Sequence, residues 1–401
     1  MSAPLSGIRV LELARILAGP WAGQLLADLG ADVVKVERSK SGDDTRAWGP
    51  PFVEGADGSN LGAGYYHSCN RGKRDVVADF ETPEGQKIVR QLARHADVLI
   101  ENFKLGGLKK YGLDYDSLKQ INPKLIYCSI TGFGQNGPYA ARPGYDFLVQ
   151  GMGGLMSITG PIEGPPYKAG IAVADVFTGL YSTIAVQAAL FRRERTGEGA
   201  FIDCCLIDSL IGIMGNQALF YLISGKEPPR MGNAHATVIP YDVFKAADGN
   251  FIIASGNDAQ FQRLMRLLGR PELAEDARFL ENKDRIANRV ELTRILNGLT
   301  SKFSRADLIA KCEAAGVPAG PINTLSEVFA DPQVIARQMR IDRPNKRAKG
   351  GTTPGLRTPI TIDGVHAAAP LPAPALGEHT RDVLSDPAWG GGVTQTTERV
   401  R

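Results

Sequence analysis

The sequence predicts an α/β protein: a large Rossmann-like layer of parallel strands and helices, joined to a smaller α+β unit in the middle of the chain. Three observations predict it. Short apolar segments alternate with helical segments through the first third of the chain, the pattern of strands paired in parallel through helical crossovers. The composition changes near Ser224, where the polar, Pro/Gly-containing stretch 225–233 reads as a linker. And 401 residues are too many for one ordinary core.

Taken in order, residues 7–13 (GIRVLEL) read as a buried strand and 20–29 as a helix, with Pro20 tolerated in its first turn. Residues 31–37 (ADVVKVE) are the next strand. Thr82, Pro83 and Glu84 form a helix start: a Thr cap, Pro at the first helical position, and an acid beside the positive helix end. That helix runs to about Ala96. Residues 97–103 (DVLIENF) and 125–131 (LIYCSIT) are further strands. Residues 134–170 are rich in Gly and Pro and read as loop, with two glycine-containing segments at 151–154 and 159–161. A long apolar helix covers 176–193, and the apolar stretch 202–222 packs beside it. In the middle part, 250–255 reads as a strand and 258–268 as an amphipathic helix ended by Gly269; Ser304 caps another helix that stops at Gly316. Residues 367–377 are Ala/Pro-rich connecting chain, and the sequence from Gly390 reads as a loose tail.

Bulk properties narrow the function. Hydrophobic residues are 43% and charged residues 22%, which fits a folded globular protein. A net charge of +3 lacks the dense basic stripe that nucleic acid or a membrane surface would need. The five cysteines, Cys69, Cys128, Cys204, Cys205 and Cys312, do not form a disulfide framework or a CxxC metal pattern. There is no secretory pattern at residues 1–8, and no apolar run reads as long enough to span a bilayer. A reducing cytoplasm is the expected setting.

Asp175, in AVADVFTG just before the long apolar helix, is the leading chemical candidate. Backbone N–H groups and the positive helix end there favour an ionised carboxylate, and a carboxylate in apolar surroundings is a usable nucleophile. On the residues alone a plain helix cap is the commoner reading, since Asp is a favoured cap. The upstream glycines could supply N–H donors to a developing oxyanion, or be ordinary turns. Basic residues after the early strands (Arg15, Arg38, Lys40, Arg46, Arg71, Lys73, Arg74, Lys109 and Lys110) could meet a polyanion at the carboxyl ends of the sheet, or form a solvated face. No GxGxxG, P-loop, GxSxG or HExxH spacing is present. His379 reads as structural, and His235 in its Gly/Asn loop stays ambiguous.

Taken together and in order, LAGP at 17–20, VKVER at 34–38, SGDDTR at 41–46, VLIENF at 98–103, GYD at 144–146, Asp175 with Gly179, and GEHT at 377–380 carry a resemblance across nearly the whole chain. The sequence resembles the class III CoA-transferases, which include formyl-CoA and carnitine CoA-transferases and are related to 2-methylacyl-CoA racemases. DDTRAWGPPFV at 43–53, YCSIT at 127–131 and GNAH at 232–235 resemble the succinyl-CoA–glutarate type. The resemblance implies a CoA-transferase using Asp175 as nucleophile, with coenzyme A as substrate and no permanently bound cofactor or metal. The donor it implies is succinyl-CoA. The acceptor would be a small dicarboxylate such as glutarate, or a sulfinate analogue.

By the same resemblance, Leu17, Ala18, Arg38, Ala78, Asp79, Phe80, Glu81, Asn102, Phe103, Lys104, Lys110, Tyr145 and Asp146 would contact CoA. Lys110 stands where formyl-CoA transferase has an arginine, so it would meet phosphate as a point charge. Arg15 and Arg46 are candidates for the acceptor's distal carboxylate, with His235 as a lid contact. The family also implies an interlocked homodimer and a large domain built from both chain ends: 1–222 and a return segment 331–401 around a small domain at 223–330. Tyr145 separates transferase from racemase. The racemases have a histidine 30 residues before the aspartate, and Tyr145 stands 30 residues before Asp175. A phenol is a poor base for an α-proton. Two further alternatives are a nicotinamide-dependent oxidoreductase, which the missing GxGxxG disfavours, and a catalytically silent CoA-binding protein, which Asp175 disfavours.

Overall fold

The structure, a computed structural model, describes residues 3–391; most of the segment read as a loose tail lies outside the described residues. Among these the chain divides into two compact units, one made of residues 3–156, 168–226 and 333–391, the other of 157–167 and 227–332.

The larger unit is built on a six-stranded sheet: β1 (Arg9–Glu12), β2 (Asp32–Glu37), β3 (Lys73–Val77), β4 (Val98–Glu101), β5 (Ile126–Thr131) and β6 (Ala200–Cys205). The spatial order is β3-β2-β1-β4-β5-β6 and every pairing is parallel. This is the doubly wound order, in which the connections reverse direction between the first and fourth strands. The Rossmann-like α/β reading is therefore correct, but two strands escaped it. β3 (KRDVV) begins with charges that look unsuited to a sheet interior, and β6 (AFIDCC) lies in a stretch read as helical packing.

Helices cover both faces. α1 (Ala18–Asp28), α2 (Gly64–Cys69), α3 (Pro83–His95), α4 (Tyr115–Ile121), α5 (Asp146–Met152), α6 (Val173–Thr196), α7 (Leu206–Ile213) and α8 (Gly215–Ser224) follow in order. The α3 start is as the sequence predicts: Thr82 Oγ1 accepts from the Gly85 N–H at 3.1 Å. The glycines at 151–154 lie not in open loop but at the end of α5 and just beyond it. By length and composition α6 would pass for a membrane span. Its buried positions Ala174, Thr178, Ser182, Val186 and Leu190 fall at four-residue steps, the stripe of a helix packed on a core, here against α1 and α7.

The glycines of LAGPWAG serve close packing. A Cβ at Gly19 would lie 2.3 Å from the Ala14 Cβ, and one at Gly23 would lie 1.8 Å from Glu12 Oε2. They let α1 settle directly onto the end of β1 and onto a buried carboxylate.

The return segment closes the exposed edge of β3. The His379 N–H donates to the Asp75 carbonyl at 3.0 Å, the Asp75 N–H to His379 Nδ1 at 3.2 Å, and the Val77 N–H to Thr380 Oγ1 at 3.0 Å. GEHT thus supplies partners to an edge strand, and His379 is structural. Further on, the buried Trp389 donates Nε1–H to Asp32 at 2.8 Å.

The smaller unit has an antiparallel sheet, β7 (Tyr241–Ala246), β8 (Gly249–Ala254) and β9 (Ala319–Pro321), in the order β9-β8-β7. It packs on α9 (Asp258–Leu267), α10 (Arg289–Thr300) and α11 (Arg305–Ala314) through Phe244, Phe251, Phe261 and Leu296. Asn257 and Ser304 cap α9 and α11 by accepting from the Gln260 and Asp307 N–H groups.

Candidate active site

Loops leaving β1 and β4 diverge at the point where the strand order reverses, and a cavity of about 590 Å³ opens there. In doubly wound sheets this crevice is where ligands bind, and its size suits a small-molecule site. The loops are tied together by one side chain. Asn102 Oδ1 accepts from the Arg15 N–H at 2.9 Å, and its Nδ2 donates to the Arg15 carbonyl at 2.6 Å. Gly132 and Gly144 allow a second close approach: a Cβ on either would fall 2.6 Å from the other's Cα. These two glycines line the cavity; those at 151–154 and 159–161 do not.

Asp175 reaches the cavity from the first turn of α6. It is not the cap of that helix. The cap position is Ala172, which offers no side-chain oxygen. The capping carboxylate comes from α5 instead: Asp146 Oδ1 accepts from the Ala174 N–H at 2.8 Å. Gln150 then joins α5 to the approach to α6, donating to Asp146 Oδ2 at 2.6 Å and accepting from the Ala169 N–H at 2.8 Å. Behind Asp175, a Cβ at Gly179 would lie 2.8 Å from the Ala18 carbonyl, so α6 seats against the start of α1 only with glycine there.

This placement reverses the expectation for the Asp175 charge. Burial, and secondarily the Asp146 carboxylate, push its pKa up to about 7. A carboxylate stripped of water and facing a like charge holds its proton more tightly. The Tyr65 phenol is pushed up too, by burial and then by Asp175, so it stays a neutral donor in that neighbourhood. No sequence signal pointed to Tyr65.

The cavity brings together most of the residues named from sequence: Leu17, Ala18, Arg38, Ala78, Asp79, Phe80, Glu81, Asn102, Phe103, Lys104, Lys110, Tyr145, Arg15 and Asp175 all line it. Phe80 packs edge-on to Phe103 and Tyr111, at 5.4 and 5.7 Å between centroids. The Arg15 guanidinium lies 5.5 Å from the Phe103 ring and the Lys110 ammonium 4.6 Å from the Tyr111 ring. Arg15 and Arg38 share one anion: Arg15 Nη1 is 2.9 Å from Asp44 Oδ2, and Arg38 Nη2 pairs with the other oxygen. Arg15 Nε is buried without a partner. Arg142, not singled out from sequence, also lines the cavity. It lies 4.6 Å from the Tyr139 ring centroid, and no carboxylate pairs with it among the described residues.

Three of the named residues fall elsewhere. Asp146 acts from behind, through the Ala174 N–H. Arg46 does not line the cavity: its guanidinium binds Glu37 at 2.7 and 2.9 Å, the Tyr66 hydroxyl at 2.7 Å and the Pro374 carbonyl. With these bonds made inside the fold, the Arg46 guanidinium is turned away from this cavity, where Arg15 and not Arg46 is found. His235 lies in the smaller unit. Its Nδ1 accepts from the Thr237 N–H at 3.1 Å and its ring lies 5.2 Å from Tyr241.

Comparison with known proteins adds a separate line of evidence. Residues 5–380 match the profile of CoA-transferase family III. The chain is 58% identical over 384 residues to a succinate–glutarate CoA-transferase of Agrobacterium fabrum, covering 96% of this chain and 95% of that one. It is 40% identical to the human succinyl-CoA:glutarate CoA-transferase, covering 96% and 86%. Among solved structures, a CaiB/BaiF family protein from Brucella suis superimposes with a TM-score of 0.85 at 56% identity, covering 96% of this chain and 99% of that one. Rv3272 from M. tuberculosis gives 0.83 at 32% identity, covering 94% and 98%.

Proposed function

The chain belongs to CoA-transferase family III, and from that premise we propose that it transfers coenzyme A from succinyl-CoA to glutarate through the Asp175 carboxylate. The observation that carries the role of Asp175 is its position: a carboxyl in the cavity at the switch point of the sheet, braced by Asp146 and Gly179.

The Asp175 carboxylate attacks the thioester carbonyl of succinyl-CoA, expelling CoA thiolate and forming a succinyl–aspartyl anhydride. The thiolate attacks the aspartyl carbonyl, releasing succinate and leaving an aspartyl–CoA thioester. Glutarate attacks that thioester, giving a glutaryl–aspartyl anhydride and thiolate again. The thiolate then takes the glutaryl carbonyl, forming glutaryl-CoA and restoring Asp175. Each intermediate keeps the acyl group activated, so the cavity must keep water away. Leu17 and Ala18 offer main chain and apolar surface to CoA. Arg38, Lys104 and Lys110 offer charge to its phosphates, and Phe80, Phe103 and Tyr111 offer an aromatic wall. For the distal carboxylate of the acceptor, Arg15 and Arg142 are the cations the cavity supplies.

The test is incubation with succinyl-CoA and a panel of free acids, following new acyl-CoA by mass spectrometry. Glutaryl-CoA should form faster than the thioesters of monocarboxylates of similar length. Equal rates would remove the dicarboxylate assignment. Absence of any exchange, with scrambling of a 2-methylacyl-CoA stereocentre, would replace transfer by racemisation.

Because attack requires the carboxylate, kcat/KM for succinyl-CoA should fall as pH drops through about 7, where Asp175 takes up its proton. Asp146→Asn keeps an acceptor for the Ala174 N–H and removes the like charge. The acid limb of the pH profile should then move to lower pH, though burial still holds it above the ordinary carboxylate range. An unmoved limb would mean that Asp146 does not act on Asp175 electrostatically.

We also propose a homodimer, interlocked as the family resemblance implies. Large apolar side chains on α6 and α8 favour it: Phe191 is 67% exposed, Leu222 72% and Ile223 80%, more apolar surface than a monomer ordinarily leaves wet. Native mass spectrometry giving only the monomer mass at micromolar concentration would overturn this.

A further inference from the structure

Ile16 is a β-branched residue in left-handed backbone, with φ of 72°, a conformation such residues avoid because the branched Cβ crowds the neighbouring peptide. It sits in the cavity wall immediately before Leu17 and Ala18. Strain of this kind persists only where the surroundings impose it, and here they are visible. The Ile16 N–H points at both carboxylate oxygens of Asp43, at 3.3 and 3.2 Å.

Asp43 is itself held from every side. It is 1% exposed. Its Oδ1 accepts from the Thr45 N–H at 3.0 Å and the Thr45 hydroxyl at 2.8 Å, its Oδ2 lies 3.1 Å from Lys35 Nζ, and its own N–H donates to Glu37. Lys35 in turn is fixed by Glu12 at 3.0 Å and the Ala14 carbonyl at 2.7 Å. A charge network anchored on the interior strands β1 and β2 thus ends in a contact with one strained peptide, and that peptide precedes the two residues that line the cavity.

We propose that Asp43 is a positioning residue for CoA transfer: it holds Ile16 in the left-handed conformation, which orients the Leu17–Ala18 main chain against the acyl-CoA. Nothing in the transfer chemistry needs the Asp43 carboxylate to touch substrate. Its effect passes through the backbone at Ile16. This rests on the functional reading above, extending it to the residue that shapes the main-chain wall.

Glycine occupies the left-handed region without crowding, so it should make the clamp dispensable. Ile16→Gly, measured beside wild type in kcat/KM for succinyl-CoA, sets the reference for the comparisons that follow. Asp43→Asn should lower kcat/KM about 100-fold, the scale of an ångström-level misplacement, with a matching weakening of free CoA binding measured by calorimetry. The double variant Asp43→Asn/Ile16→Gly should recover at least about tenfold in both, without recovering Tm, because glycine does not restore the second anion that Lys35 has lost. A damaged charge cluster would instead leave the double variant no better than Asp43→Asn, and that result overturns the proposal. Should Asp43→Asn not fold, Ile16→Pro decides. It removes the N–H and fixes φ near −65° while leaving Asp43 and Lys35 paired. Activity about 100-fold below Ile16→Gly is expected, and equal activity overturns the proposal. A wild-type protein that neither exchanges nor binds CoA would instead sink the functional reading itself.

Discussion

Asp175→Asn will abolish CoA transfer and, at the same time, stabilise the protein above pH 7. The catalytic loss should be at least about 10⁴-fold, the scale seen when a covalent nucleophile is removed. With succinyl-CoA and no acceptor, the wild-type peptide carrying Asp175 should gain the mass of CoA less water, and the variant peptide should not. The stability gain follows from the raised pKa. Folding takes this carboxyl from its ordinary range up to about 7, so above pH 7 the folded state holds a charge the unfolded chain would solvate better. That penalty is fully present above the folded pKa. It shrinks as pH falls, and vanishes below the unfolded pKa, where both states bind the proton. A shift of this size corresponds to about 2–4 kcal/mol, the lower figure allowing for partial exposure. Urea midpoints of the two proteins should therefore differ at pH 8 and converge towards pH 4. A variant no more stable than wild type at pH 8 would mean that Asp175 is not a strained charge.

The second large effect lies under the site rather than in it. Glu12, Lys35 and Lys73 are each 0% exposed. Glu12 Oε1 accepts from Lys35 at 3.0 Å and Lys73 at 2.9 Å, and its second oxygen is 2.8 Å from Lys73. Lys35 keeps a second anion in Asp43, whereas the remaining partners of Lys73 are the neutral Pro20 carbonyl and Asn70 side chain. Burial already draws the Lys73 pKa down. Glu12→Gln preserves shape and deletes the one charge that Lys73 needs, so it should cost about 3–5 kcal/mol, the usual result of breaking a buried pair from one side. Lys73→Met in that background should restore a large part of the loss, because the orphaned cation leaves with it. Denaturant midpoints of the four proteins in this cycle measure the coupling. A double variant as unstable as Glu12→Gln would show that the loss arises from packing.

The same cluster explains why part of the fold was hard to read from sequence. Strand β3 opens with Lys-Arg-Asp, and a run of charges argues against a sheet interior unless partners are known. Those partners are distant: Glu12 for Lys73, Asp32 for Arg74, and Gly377 for Asp75. Strand β6 was hidden for a different reason. Its AFIDCC pattern merges with the apolar helices that follow, and periodicity alone does not separate a short strand from a helical run. By contrast the Thr82–Pro83–Glu84 start and the Ser304 cap were legible because helix signals are local.

Sequence by itself determined the parallel α/β class, the helix starts, and, through ordered motifs spread over the chain, the family; it also named Asp175 as the candidate nucleophile. These are carried by residue types at short spacing or by chain order. Tertiary structure alone decided the rest. It turned Arg46 away from the cavity and into Glu37, and brought Arg142 in. It moved the capping role from Asp175 to Asp146 and raised the Asp175 pKa instead of lowering it. It bent Ile16 into a left-handed conformation with its N–H on the Asp43 carboxylate. The physical reason is the same each time. Charge, hydrogen bonding and burial act over a few ångströms in space, between residues tens to hundreds of positions apart in the chain.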